Sequence, residues 1–111
     1  MKEFYTSVIE LHQPISQQFS SEPYECGWAS EALFFLTVHP EIADFDHLLV
    51  RSKNSPDGVH WTEAPGDATL ISEPGLTAIA LTQFGGWLRL EIALEGAAQK
   101  AMVTLHLALK G

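Results

Sequence analysis

The most regular stretch of the chain is WLRLEIALEG, residues 87–96. Leu88, Leu90, Ile92 and Leu94 fall on one face, and Trp87, Arg89, Glu91, Ala93 and Glu95 fall on the other. Successive side chains of a strand point to opposite faces, so a period of two marks a strand with one face buried. AMVTLHLALKG repeats the pattern, with Ala101, Val103, Leu105, Leu107 and Leu109 inward and Met102, Thr104, His106, Ala108 and Lys110 outward. Residues 96–100 between these two segments predict a hairpin. ALFFLTV, residues 32–38, is apolar on both faces, as expected of a central strand covered on each side.

The same reading finds strands in EFYTSVIEL and ISQQFS, in HLLVRSK and VHWTE on either side of a turn, in ATLIS after Pro65-Gly66-Asp67, and in LTAIALTQF after Pro74-Gly75. That makes about eight or nine short strands, with Gly, Pro, Asn, Asp and Ser between them. One segment competes. HPEIADFDHLL has Pro40 early and Ile42, Phe45, Leu48 and Leu49 at helical spacing, which admits a single helical turn near 40–48. The pattern predicts an all-β fold: residues 1–111 as one antiparallel β-sandwich, jelly-roll or immunoglobulin-like, with a barrel as the alternative.

Length and composition support one core. The chain has 111 residues, 46% hydrophobic and 18% charged, which is a globular balance. Its longest apolar runs fall far short of the ~20 residues a membrane helix needs. The opening MKEFYTSVIELHQPI carries charge where a secretory signal would be apolar, so a cytoplasmic or virion location is expected. The one cysteine, Cys26, has no partner for a disulfide and no basic neighbour to favour a thiolate, so it reads as a small buried apolar residue. Acids dominate the first half: residues 1–50 hold Lys2 against eight acidic side chains, while residues 51–111 hold five basic and six acidic. Six Lys and Arg in all leave little for phosphate, and nucleic acid and anionic membranes are poor candidate partners.

Candidate chemistry concentrates in two places. NSPDGVHW, residues 54–61, has Pro56 to set φ, Asp57 to accept backbone N–H groups and Gly58 to take a positive φ, which is the chemistry of a hairpin tip. Trp61 then packs across the hairpin or enters the core; the functional alternative is a binding site of Asp57, His60, Trp61 and Arg89. HPEIADFDH, residues 39–47, brings His39, Glu41, Asp44, Asp46 and His47 together within nine residues. Ca²⁺ held by Glu41, Asp44 and Asp46, or a transition metal held through the histidines, is the alternative to a solvated acidic connector, although neither an EF-hand loop nor a zinc spacing is present. Trp28, Trp61, Trp87, Tyr5 and Tyr24 are numerous enough for a sugar-stacking platform, and equally ordinary as core residues. No nucleophile elbow or phosphate loop appears, no cofactor is expected, and Gly85-Gly86 reads as a tight turn entering a strand.

The hairpin HLLVRSKNSPDGVHWTE with the later FGGWLRLEIAL resembles discoidin-like and related carbohydrate-binding β-sandwich modules, in which Ser-x-Asp-Gly turns and returns through Trp-Thr. The resemblance rests on Ser55–Trp61 and the strand Trp87–Leu90, and such hairpins also occur in bacteriophage structural proteins. The motif is similar to the Asp-box of sialidases as well, without that motif's extra residue between Asp and Gly. The resemblance implies a β-sandwich and a device of fold more than an activity. Three functions compete on this footing. A non-catalytic structural or assembly module leads, homo-oligomeric or joined to other structural subunits, such as a decoration-type accessory of a virion or large particle. A carbohydrate- or ligand-binding module with a glycan partner follows, and a small sandwich-fold enzyme is third.

Overall fold

A computed structural model describes residues 4–64 and 66–111, and Pro65 of the expected Pro65-Gly66-Asp67 turn lies outside them. Among the described residues ten strands are formed: β1 (Phe4–Ser16), β2 (Gln18–Ser20), β3 (Tyr24–Glu25), β4 (Glu31–Asp44), β5 (His47–Ser55), β6 (Thr62–Glu63), β7 (Thr69–Ile71), β8 (Gly75–Thr82), β9 (Trp87–Glu95) and β10 (Lys100–Lys110). Every pairing is antiparallel, and two sheets result. One runs β1-β10-β4-β8; the other runs β2-β9-β5-β6, with β3 beside β9 and β7 beside β5. This is the expected all-β sandwich, measuring 45 × 26 × 20 Å.

The apolar faces read from the pattern meet between the sheets. Phe34, Leu36 and Val38 of β4 and Val103, Leu105, Leu107 and Leu109 of β10 face Leu48 and Val50 of β5 and Leu88, Leu90, Ile92 and Leu94 of β9, all essentially without exposure. Cys26 joins this core as expected. Its thiol is pushed up to about 11, first by burial and then by the negative charge of Glu25, so it stays protonated at neutral pH.

Three expectations are corrected. β9 and β10 do not form a hairpin: β9 belongs to the six-stranded sheet and β10 to the four-stranded one, and Gly96, at φ +130°, starts the crossing. Alternation in both strands is the same whether they pair side by side or face each other across a core. The helical turn near 40–48 is absent. β4 continues through Asp44, and Phe45 and Asp46 alone separate it from β5, which leaves no room for a turn of helix. Pro40 is accommodated because the ladder to β10 is interrupted there: His39 pairs with Met102 and Ala43 with Ala101, so residues 40–42 are extra on β4. A bulge is where a strand tolerates a residue without N–H. Finally, Thr104 and Ala108 of β10 point outward as expected yet are buried: β10 lies between β1 and β4, and the Thr104 hydroxyl is engaged by His12 and His39 from those two strands.

Candidate functional site

The hairpin β5–β6 carries the first candidate. Ser55 ends β5, and its Oγ accepts the N–H groups of Asp57 at 3.2 Å and Gly58 at 2.9 Å while donating to Asp57 Oδ1 at 3.0 Å. Asp57 Oδ1 accepts the N–H groups of Val59 at 2.8 Å and His60 at 2.9 Å, and Oδ2 lies 2.7 Å from His60 Nδ1. These bonds, first that from the His60 backbone and next that from its ring, hold the Asp57 carboxyl well below the usual carboxylate range. Gly58 has φ +80° and lies against the Trp87 ring, where a β-carbon would come within 3.1 Å. Asn54 fastens the tip to the next loop, accepting the Gly85 N–H at 2.8 Å. Gly85 lies close enough to Ser55 for an added β-carbon to reach its carbonyl oxygen at 3.2 Å.

Trp61 is half-buried and outside the core, on the outer surface of the six-stranded sheet. The Arg89 guanidinium sits 4.3 Å from its ring centroid, a cation–π contact, and also donates to Glu91 at 2.9 Å. The four predicted binding residues therefore form two pairs, Asp57 with His60 and Trp61 with Arg89. Among the described residues no hydrogen bond or ring contact joins the two. Beside them lies a polar groove of about 320 Å³ lined by Arg51, Lys53, Glu63, Glu91, Gln18 and Ser20, among others. Lys53 reaches Glu63 at 2.8 Å, and this bond is the first cause that holds the Glu63 carboxyl below its usual range.

The second candidate is rearranged. Glu41 lies 3.4 Å from His12 Nε2, with His39 close by. Asp44 sits opposite Lys100 in the ladder, and Asp46 donates its backbone N–H to Glu95 at 2.7 Å. Neither belongs to that cluster, which is the one group of three or more His, Cys, Asp or Glu among the described residues whose ligand atoms lie within 4.8 Å of one another. The aromatic residues are also dispersed. Tyr5 pairs with Tyr24 at 6.4 Å, Trp28 lies against Gly111, Trp61 under Arg89 and Trp87 over Gly58.

No protein-family model matches the chain, and no curated protein does. Its backbone has solved counterparts. The chain has the fold of the SPBc2 prophage-derived protein YomS. The two agree with a TM-score of 0.67 over 100% of this chain and 96% of that one, at 9% identity. The PBSX exported protein XepA follows at TM-score 0.61 and 11% identity; 98% of this chain matches only 36% of that longer one. A subunit of the Bacillus endospore appendages, a disulfide-linked pilus, matches at TM-score 0.53 and 10% identity over 98% of this chain and 83% of that one. At such identities the likeness is one of fold. The β-sandwich resemblance read from one hairpin and one strand thus extends over the whole chain.

Proposed function

We propose that this protein is a non-catalytic assembly module, a β-sandwich subunit that self-associates and serves as a decoration-type accessory of a virion or other large particle. The observation that supports it is the outer face of the four-stranded sheet. Two rows cross all four strands there, Thr6-Ala108-Leu33-Ala80 and Val8-His106-Phe35-Ala78. Leu33 and Phe35 are half-buried, Val8 is 49% exposed, and Leu76 at the β8 edge is 67% exposed. A groove of about 360 Å³ runs between Leu33, Phe35, Ala80 and Ala108. An apolar face that no second layer covers among the described residues is the mark of an interaction surface. These two rows hold no acidic side chain, although net charge is −8, and the groove between them is bordered by one acid and one base, Glu31 and Lys110.

The strand order strengthens the reading. β1-β10-β4-β8 over β2-β9-β5-β6 supports a jelly-roll arrangement of the sandwich, an architecture used by viral capsid and lectin domains. The prophage origin of YomS, whose fold this chain shares at 9% identity, supports a virion as the setting. Sedimentation velocity across a concentration series tests it. Self-association is expected, and Leu76→Glu with Ala80→Glu, both exposed in the monomer, should abolish it with the circular dichroism unchanged. A protein that stays monomeric at the highest concentration sinks the proposal.

The groove beside Lys53 supports a second reading, a glycan- or ligand-binding module. Oligosaccharide titration with a response lost in Arg51→Ala and Trp61→Ala would favour it.

A further inference from the structure

Thr104 is outward-facing and yet 6% exposed, its hydroxyl engaged by His12 of β1 and His39 of β4 near irregularities in both strands. On one side, β1 pairs Glu10 with Leu105 and Gln13 with Val103, so one residue is extra and His12 takes φ +47°. On the other side, residues 40–42 are extra on β4, and Glu41 among them reaches to 3.4 Å from His12 Nε2. A non-glycine residue in the left-handed region is strained, and bulges re-aim the side chains they carry. Here they aim His12, His39 and Glu41 at one point. The His12 and His39 rings are 4.4 Å apart, and the ligand atoms of all three residues lie within 4.8 Å of one another.

We propose that His12, His39 and Glu41 form a binding site for a divalent transition-metal ion, with Zn²⁺ as the natural occupant. Around a tetrahedral zinc with bonds of roughly 2.0–2.2 Å, neighbouring ligand atoms stand about 3.3–3.5 Å apart. His12 Nε2 and Glu41 Oε2 already have that spacing, at 3.4 Å. The His39 ligand atom lies within 4.8 Å of both. Two imidazoles and a carboxylate suit zinc, copper or nickel better than calcium or magnesium, which take all-oxygen shells.

The surroundings match the demands of such a site. His39 Nε2 is 2.7 Å from the Thr104 hydroxyl, and that hydroxyl accepts the His12 N–H at 3.0 Å. One buried hydroxyl thus orients the His39 ring through one nitrogen, leaving the other for an ion, and pins the strained backbone of His12. Histidine ligands are commonly held in this way through their second nitrogen. His12 and Glu41 are 57% and 61% exposed, so an ion can enter, and water completes the shell. The site lies at the His39 end of the same sheet face proposed for self-association, but it is complete within one chain.

Calorimetric titration with Zn²⁺, and visible absorption with Co²⁺ as a probe of tetrahedral N/O ligation, test the proposal. One equivalent should bind. Affinity should fall at least tenfold in His39→Gln, in Glu41→Gln and in His12→Gly, which suits the positive φ, while His47→Ala leaves it unchanged. Because Glu41 and His12 are exposed, their variants keep the fold even if His39→Gln does not. Weak binding of several equivalents, indifferent to all three substitutions, overturns the proposal.

Discussion

Asp57 accepts hydrogen bonds from the Ser55 hydroxyl, from the backbones of Val59 and His60, and from the His60 ring. A carboxylate this occupied is a structural part of the turn. Its depressed pKa stabilises the folded state at neutral pH, and that contribution fades as pH falls below the ordinary value of 3.8, because the unfolded chain takes up the proton first. Urea unfolding at several pH values should therefore show Asp57→Asn less stable than the parent at pH 7, with the gap shrinking below pH 3.8. A constant gap would contradict this account. Gly58→Ala faces both a positive φ and the Trp87 ring at 3.1 Å, and should cost about 1–3 kcal/mol. Gly66→Ala, with φ +112° but open space around it, should cost less in the same thermal or urea assay. Ser-x-Asp-Gly was legible as a turn because its bonds are local. Trp61 was not, since whether it enters the core or lies under Arg89 depends on β9, which is distant in sequence.

At the scale of elements, period-two patterning located the core face of β9 and β10 residue by residue, because burial on one side imposes that period. It misplaced connections. The helical turn near 40–48 failed because Pro40 and Ile42 belong to a bulge of β4, while Phe45, Leu48 and Leu49 run on through the connection into β5. The bulge on β1 was likewise invisible, and with it the meeting of His12 and Glu41, 29 positions apart. His39 and Glu41 sit two apart on one strand, but nothing in the chain announces their third partner. Thr104→Val checks how firmly the bulge on β1 is held. It keeps the shape but leaves the His12 N–H without its acceptor, and should lower stability by about 1–3 kcal/mol, measured by chemical denaturation.

Across the whole molecule, the two sheets are closed by pairings between distant segments: β1 with β10, β4 with β8 and with β10, β5 with β9. Such topologies fold slowly, because chain entropy is lost before non-local contacts form. Stopped-flow refolding should give relaxation on the order of milliseconds to seconds, with microsecond folding as the contrary result. The order β1-β10-β4-β8 also decides what the sequence pattern alone left open. Alternation, turn residues and composition determined that the chain is an all-β sandwich with one core, since those are consequences of which side chains avoid water and which turns the backbone allows. Only the tertiary structure decided that two adjacent strands lie in opposite sheets, that one apolar sheet face stays uncovered among the described residues, and that irregularities in β1 and β4 bring His12 and His39 to Thr104. Each of these depends on which distant strands become neighbours, and that is settled by the packing of the whole chain.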